Sequence, residues 1–301
     1  MTISKFRTVI LGNFDGLHRG HQQLIGLGRQ IADLHQEELA VFTFYPQIQQ
    51  YFDKNFCYLL TEQQKNRGFQ KLKVDWIESI PFTEGIATLS PEEFVENILV
   101  RKLHARHAVV GFNFSFGYKG AGNPELLREL GGHYGIEVTV MEPCCADGEV
   151  VSSSAIRKYL QAGDVEKANA LLGYAYSIEG PVVRGNEIGR TIGFPTANIL
   201  PAKGILLPAK GVYAARTWVE SQCYDGILNI GMRPTISHSV GLNIEVNLFD
   251  FDRDIYGQVI RSEIHYFLRP ETKFDDLDGL RAQLEKDKRN TEKLFAERKN
   301  F

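Results

Sequence analysis

Two stretches of the chain combine glycine with side chains that can do chemistry. The first is Gly12-Asn13-Phe14-Asp15-Gly16-Leu17-His18-Arg19-Gly20-His21. His18 and His21 stand where a helix would begin, at a spacing that puts both rings on one side of its first turn. A helix start carries unpaired N–H groups and the positive end of the peptide dipoles, and so suits an anion. The turn needs permissive glycines, and Gly20 allows close backbone approach. Imidazole donors at this point would hold phosphates as charge shifts onto a leaving pyrophosphate.

The second stretch is Gly189-Arg190-Thr191-Ile192-Gly193-Phe194-Pro195-Thr196-Ala197-Asn198, preceded by Gly180-Pro181-Val182-Val183-Arg184-Gly185-Asn186. Thr196 and Asn198 are hard oxygen donors of the kind Mg²⁺ takes in small number, keeping waters and phosphate oxygens for the rest. Gly185 and Gly189 free the backbone to wrap phosphates. Further on, Leu242–Phe249 reads as a strand whose alternation sets Glu245 on one face with Asn243 and Asn247. Alone, Pro195–Asn198 would be a proline turn before a strand, and Glu245 an exposed carboxylate. Two more segments qualify. Ser152-Ser153-Ser154-Ala155-Ile156-Arg157 offers hydroxyls that cap a helix or bind phosphate, beside the fixed charge of Arg157. Gly111-Phe112-Asn113-Phe114-Ser115-Phe116-Gly117 is an aromatic glycine loop.

The elements that must position these residues change character along the chain. In the first half, strand patterns (6–11, 39–44, 74–80, 107–111, 136–141) alternate with helical ones (20–34, 61–72, 90–101, 123–133). That alternation predicts a parallel, doubly wound α/β sheet. Ligands of such sheets bind at the carboxyl ends of strands near the topological switch point. Residues 152–172 read as two short helices broken at Gly163-Asp164. From Tyr176 only period-2 strands appear (176–183, 211–219, 222–230, 242–249, 259–267), with no long helix until about Asp275. Short strands at even spacing predict a small antiparallel β-barrel, closed off by a C-terminal helix. We place the boundary near residue 174, giving domains 1–174 and 175–301.

Composition excludes some classes. Basic and acidic side chains number 34 and 37, for a net charge of -3. Nothing there calls for a nucleic-acid or membrane partner, so an anionic ligand depends on local features and metal ions. No apolar run reaches a spanning length. The N-terminus has no secretory pattern, and the 4 cysteines, without a CxxC pair, fit a reducing cytosol. The expected location is therefore cytoplasmic; oligomeric state is left open.

The order and spacing of these segments resemble the bacterial bifunctional riboflavin kinase/FMN adenylyltransferase (FAD synthetase) family. Gly12–His21 resembles its HxGH signature, residues 111–117 its G-x-[DN]-[FY]-x-F-G loop, and residues 152–157 its S-S-T-x-I-R motif. Gly189–Asn198 resembles the riboflavin-kinase signature G-R-x-x-G-[FYI]-P-T-A-N, followed by Asn229-Ile230-Gly231, Arg233-Pro234-Thr235 and Glu245–Phe249 as in the family. The resemblance covers nearly the whole chain.

It implies an ATP site of an adenylyltransferase at Gly12, Asn13, Phe14, Asp15, His18, Gly20, His21, Ser152, Ser153, Ser154 and Arg157. It implies flavin and nucleotide contacts at Asn113, Phe116 and Gly117. For the kinase it implies ATP contacts at Gly180, Gly185, Gly189, Arg190, Thr196 and Asn198, with Mg²⁺ on the last two and Glu245 as general base. Riboflavin, FMN and ATP would be substrates, and FMN and FAD products. The chain departs from the family pattern at Gln47, where a histidine is usual, at Ser154 for threonine, and in residues 118–123. These departures keep open the alternative of a kinase whose adenylyltransferase domain is impaired. A flavin-binding regulator is disfavoured, because binding alone would not need His18, His21, Thr196, Asn198 and Glu245 together.

Overall fold

A computed structural model of the chain describes residues 6–185, 189, 192–232 and 242–297. Arg190 and the Arg233-Pro234-Thr235 segment lie outside the described residues. The chain forms two compact units, residues 1–153 and 154–301.

In the first unit, β1 (Arg7–Leu11), α1 (Arg19–His35), β2 (Glu38–Phe44), α2 (Ile48–Phe52), α3 (Glu62–Lys71) and β3 (Trp76–Ile80) run in chain order. Then come α4 (Glu84–Ala87), α5 (Pro91–Phe94) leading into a π-helical stretch Val95–Lys102, β4 (Ala105–Gly111), α6 (Pro124–His133) and β5 (Glu137–Met141). A small hairpin, β6 (Cys145–Ala146) with β7 (Glu149–Val150), ends the unit. The sheet order is β3-β2-β1-β4-β5, with every neighbour parallel. The chain builds outward from β1 to β3 and then returns to the other side of β1. The switch point therefore lies between β1 and β4, as the doubly wound pattern predicts.

Both faces of the sheet are covered, which is why its strands read as near-continuous apolar runs. Val9, Leu11, Phe42 and Val110 pack with Phe94 and Leu99 on one side. Ile10, Leu39, Val41 and Val109 pack with Leu24, Ile25 and Phe69 on the other. Gly28 lets α1 approach this sheet, since a Cβ there would come within 2.7 Å of Ile10.

The second unit opens with α7 (Ser153–Ala162, from the last residue of the first unit) and α8 (Val165–Leu172). Gly163, at φ 81°, and the Asp164 cap separate them. Next come β8 (Ser177–Val183), β9 (Ala197–Ile199), β10 (Gly211–Val219), β11 (Gln222–Met232), β12 (Leu242–Leu248), β13 (Val259–Arg269) and α9 (Leu277–Glu297). The strands close into a barrel in the order β10-β11-β12-β9-β8-β13, with antiparallel neighbours. Along β12, Ile244 and Val246 are buried and alternate with Asn243, Glu245 and Asn247, so the two sets face opposite sides of the wall. The helix α9 is fixed to β13 by Arg269, which grips the buried Asp287 with Nη2 to Oδ2 at 2.7 Å. Its far end is fixed by Phe295, packed on Ala214 and Tyr266.

Candidate active sites

The turn after β1 is built by left-handed backbone at Phe14, Gly16 and Leu17. It folds the Phe14 ring inward, edge-on to Phe69 of α3 at 5.3 Å, over the space that Gly12 leaves empty. His18 caps α1, its Nδ1 accepting the His21 backbone N–H at 3.3 Å. An accepting Nδ1 leaves the proton on Nε2, so a neutral His18 presents one donor outward. The two imidazoles stack at 3.7 Å and 15°. Burial holds His18 at about 4 rather than 6.5. Burial, then the neighbouring His18 and Lys65, push His21 well below its ordinary value. Both rings are thus neutral donors at pH 7. The buried Nδ1 of His21 has no hydrogen-bond partner among the described residues. Gly20 leaves room for this stack, since a Cβ there would sit 3.3 Å from the His18 ring.

Asp15 is held within the protein. Its Oδ1 accepts from Gln47 Nε2 at 2.9 Å and from the Leu59 N–H at 2.8 Å. Its carbonyl accepts from Ser153 Oγ, at the end of the same unit, at 2.7 Å. The Asn13 carbonyl accepts from Thr43 Oγ1 at 3.3 Å. Gln47 therefore fills a buried supporting position that its sequence context left unexplained. Gly111–Gly117 leaves β4, the neighbour of β1, at the same sheet edge. There Phe116 is buried against Phe94 and Phe114, and Gly117 (φ 74°) lies so close to Pro91 that a Cβ would sit 2.9 Å from its nitrogen. Asn113 is exposed. Phe116 and Gly117 thus shape the loop, while Asn113 is free to meet a ligand. Ser152 and Ser153 end the first unit; Ser154 and Arg157 continue α7 in the second.

In the barrel, Asn198 of β9 pairs in register with Glu245 of β12, which pairs in turn with Asn229 of β11. Glu245 Oε1 accepts from Asn243 Nδ2, and Asn247 Nδ2 donates to the Pro195 carbonyl, both at 2.7 Å. The second bond fixes the Pro195–Asn198 turn to β12. Gly185 is required by packing, since a Cβ would fall 2.2 Å from Asn198 Nδ2. Gly189 likewise sits against the Phe194 carbonyl. Gly180 is a residue of β8 whose missing Cβ leaves room for the Leu200 carbonyl.

Two open pockets meet at Thr196. One, of about 400 Å³, lies on the Val246 side of β12 with Val182, Ala197, Arg253 and Tyr256. The other, of about 280 Å³, lies on the Glu245 side with Asn229, Asn247 and Glu271. Arg269 and Thr272 also line it, and Val212, Ile227, Phe274 and Leu284 give it an apolar part. Arg269, Glu271 and Phe274 carry no motif, and only the fold brings them to Glu245.

Among the described residues, no three His, Cys, Asp or Glu side chains gather as a metal cluster. Asn198 Oδ1, however, is buried and has no hydrogen-bond partner among the described residues. An unsatisfied amide oxygen two residues from Thr196 fits a hydrated Mg²⁺ that takes few protein ligands. No described helix is long and apolar enough to cross a membrane.

Residues 2–155 match the FAD synthetase family and residues 172–295 the riboflavin kinase family. The bifunctional riboflavin kinase/FMN adenylyltransferase of Listeria monocytogenes is 40% identical over 96% of this chain and 93% of its own length. That of Bacillus subtilis is 39% identical over 95% and 92%. A crystal structure of a Streptococcus pneumoniae chain, described as a macrolide-efflux protein, superposes with a TM-score of 0.90. It is 30% identical and covers 97% of this chain and 95% of its own. With both families matched in order along one chain, and relatives at this identity over nearly full length, the chain belongs to the bifunctional riboflavin kinase/FMN adenylyltransferase family.

Proposed function

We propose that the chain phosphorylates riboflavin to FMN in its barrel and adenylylates FMN to FAD in its α/β unit, using one ATP for each step. The observation that carries this is the presence, one in each compact unit, of two unlike groups of side chains. One is a neutral His18–His21 pair at a helix start; the other is Glu245 in register with Asn198.

For the kinase, Glu245 takes the proton from the riboflavin 5′-hydroxyl as that oxygen attacks the γ-phosphorus of ATP, and ADP leaves. Because Glu245 lines the smaller pocket, the acceptor flavin belongs there, its ring against the apolar lining and its ribityl chain toward the carboxylate. ATP belongs in the larger pocket, with Thr196, which lines both, between the two. Thr196 and Asn198 would hold Mg²⁺, which when bound would neutralise charge on the phosphates. We assign Gly185 and Arg190 to the nucleotide, and Gly189, which lines the smaller pocket against Thr196, to the phosphate end where the two pockets meet.

For the adenylyltransferase, an ionised FMN phosphate oxygen attacks the α-phosphorus of the second ATP, and pyrophosphate leaves. No protein base is needed. The Nε2–H of His18, the His21 imidazole, the start of α1 and the Ser153 helix start stabilise the leaving charge. We assign Gly12, Asn13, Phe14, Asp15, Gly20, Ser152, Ser154 and Arg157 to the same nucleotide, and Asn113, Phe116 and Gly117 to the flavin loop. We keep 1–174 and 175–301 as the division of labour, and place both reactions in the cytoplasm, where ATP is available. The test is incubation with riboflavin, ATP and Mg²⁺, with and without a chelator, and chromatographic separation of FMN from FAD. ATP-dependent appearance of both products supports the assignment; FMN alone, with none of it carried on, would refute the second half.

A further inference from the structure

Lys65 belongs to no motif, and its helix, Glu62–Lys71, reads as a polar surface helix. Yet it is 2% exposed. Its ammonium donates to Thr43 Oγ1 and to the Phe44 carbonyl, both at 3.4 Å and both uncharged. Thr43 Oγ1 in turn donates to the Asn13 carbonyl of the turn after β1. The same helix holds that turn at two other points. Phe69 packs on Phe14, and the missing Cβ of Gly68 makes room for Leu17. The lysine is thus built into the floor of the His18–His21 site, close enough that its charge disfavours protonation of His21.

Resting on the assignment of AMP transfer to this turn, we propose that Lys65 is a positioning residue for that reaction. Its buried ammonium braces the turn through Thr43 and supplies the positive charge that an incoming triphosphate meets. A buried cation is costly without an anion. Around Lys65 the anionic groups are Asp15 on the turn and Glu62 on its own helix, while His21 faces it from α1. These carboxylates do not offset burial, which brings the ammonium down from 10.5 to about 8. The ammonium is therefore still charged at pH 7, and the phosphates of a nucleotide would favour that charged form further.

The experiment is the pH dependence of FAD formation from supplied FMN, with riboflavin phosphorylation by the same preparations as control. Wild type should lose kcat/KM for ATP above pH 8 to 9, at about tenfold per pH unit once the ammonium titrates. Lys65→Arg, whose charge persists, should keep activity at least one pH unit further up. Lys65→Met should be about 10- to 100-fold slower, without that limb, while its kinase rate stays at wild type. A wild-type profile flat from pH 7 to 10, a Lys65→Arg profile superimposed on wild type, or a Lys65→Met rate equal to wild type would each overturn the proposal. If Lys65→Met does not fold, the first two outcomes still decide. Wild type making no FAD at any pH would instead remove the assignment of AMP transfer itself.

Discussion

Glu245 and His21 carry unlike chemistry, and single substitutions should separate the two reactions. Glu245→Gln keeps shape and the Asn243 contact but cannot accept a proton, so FMN formation should fall by about 10² to 10⁴. FAD formation from supplied FMN should persist, since the attacking phosphate has no proton to lose. His21→Ala removes a donor aimed at the triphosphate and should slow FAD formation by about 10² to 10³, with riboflavin phosphorylation near wild type. Misfolding would depress both rates together, so parallel losses with a native circular dichroism spectrum would refute the two-site assignment. His18 makes a further prediction about stability. Its folded value of about 4 lies below the ordinary 6.5. Between these values the unfolded chain binds the extra proton, so stability present above pH 6.5 is lost as pH falls toward 4. The shift corresponds to about 3 kcal/mol for this group alone. Urea titrations of the first unit at pH 7 and pH 4.5 should show the drop, and His18→Gln should flatten it. An unchanged pH slope in that variant would mean other groups carry the acid sensitivity.

At the scale of elements, α8 belongs to the barrel it precedes. Asn169 donates to the Ile264 carbonyl of β13 at 2.8 Å and accepts from the Tyr176 N–H at 2.7 Å. Leu160 of α7 accepts at its carbonyl from the Ala209 N–H at 2.9 Å. A fragment of residues 154–301 should therefore melt higher than one of 175–301, which loses these bonds and the burial of Val165, Ala168 and Leu172. Both should phosphorylate riboflavin, because every kinase residue assigned lies beyond 175. Equal melting temperatures would show that α7 and α8 are passengers.

The sequence pattern located the change to strands near 174 because it registers periodicity. Which unit the helices pack on depends on tertiary partners such as Ile264, which periodicity does not contain. The same limit explains β9, three residues that are too short to alternate and that exist because they pair with β12 on one side and β8 on the other. It explains Lys65 as well. Its neighbours Gln63, Gln64 and Asn66 read as solvent-facing, and its partners Thr43 and Phe44 lie on β2, 22 and 21 residues earlier. The parallel sheet, the barrel strands and the histidine turn were legible because local pattern and tertiary role agree there.

The whole molecule places the two steps of one sequence in two compact units, and the product of the barrel is the substrate of the α/β unit. Both barrel pockets open to solvent, so FMN has a way out after phosphorylation. Two proteins, each with one site disabled, should then complete the sequence between them. Glu245→Gln alone, given riboflavin and ATP, should yield little FAD because it makes little FMN. His21→Ala alone should stop at FMN. Mixed in equal amounts, they should convert riboflavin to FAD after a lag in which free FMN accumulates. Raising the concentration of Glu245→Gln should speed FAD formation after that lag, since it supplies the working adenylyltransferase. If the mixture leaves all flavin as FMN, while Glu245→Gln still makes FAD from added FMN, then FMN does not exchange between chains. If FAD appears with no lag and no free FMN at any time, FMN is handed on directly. The expected time course, with FMN rising and then falling as FAD grows, is read by chromatography of samples withdrawn from a single reaction.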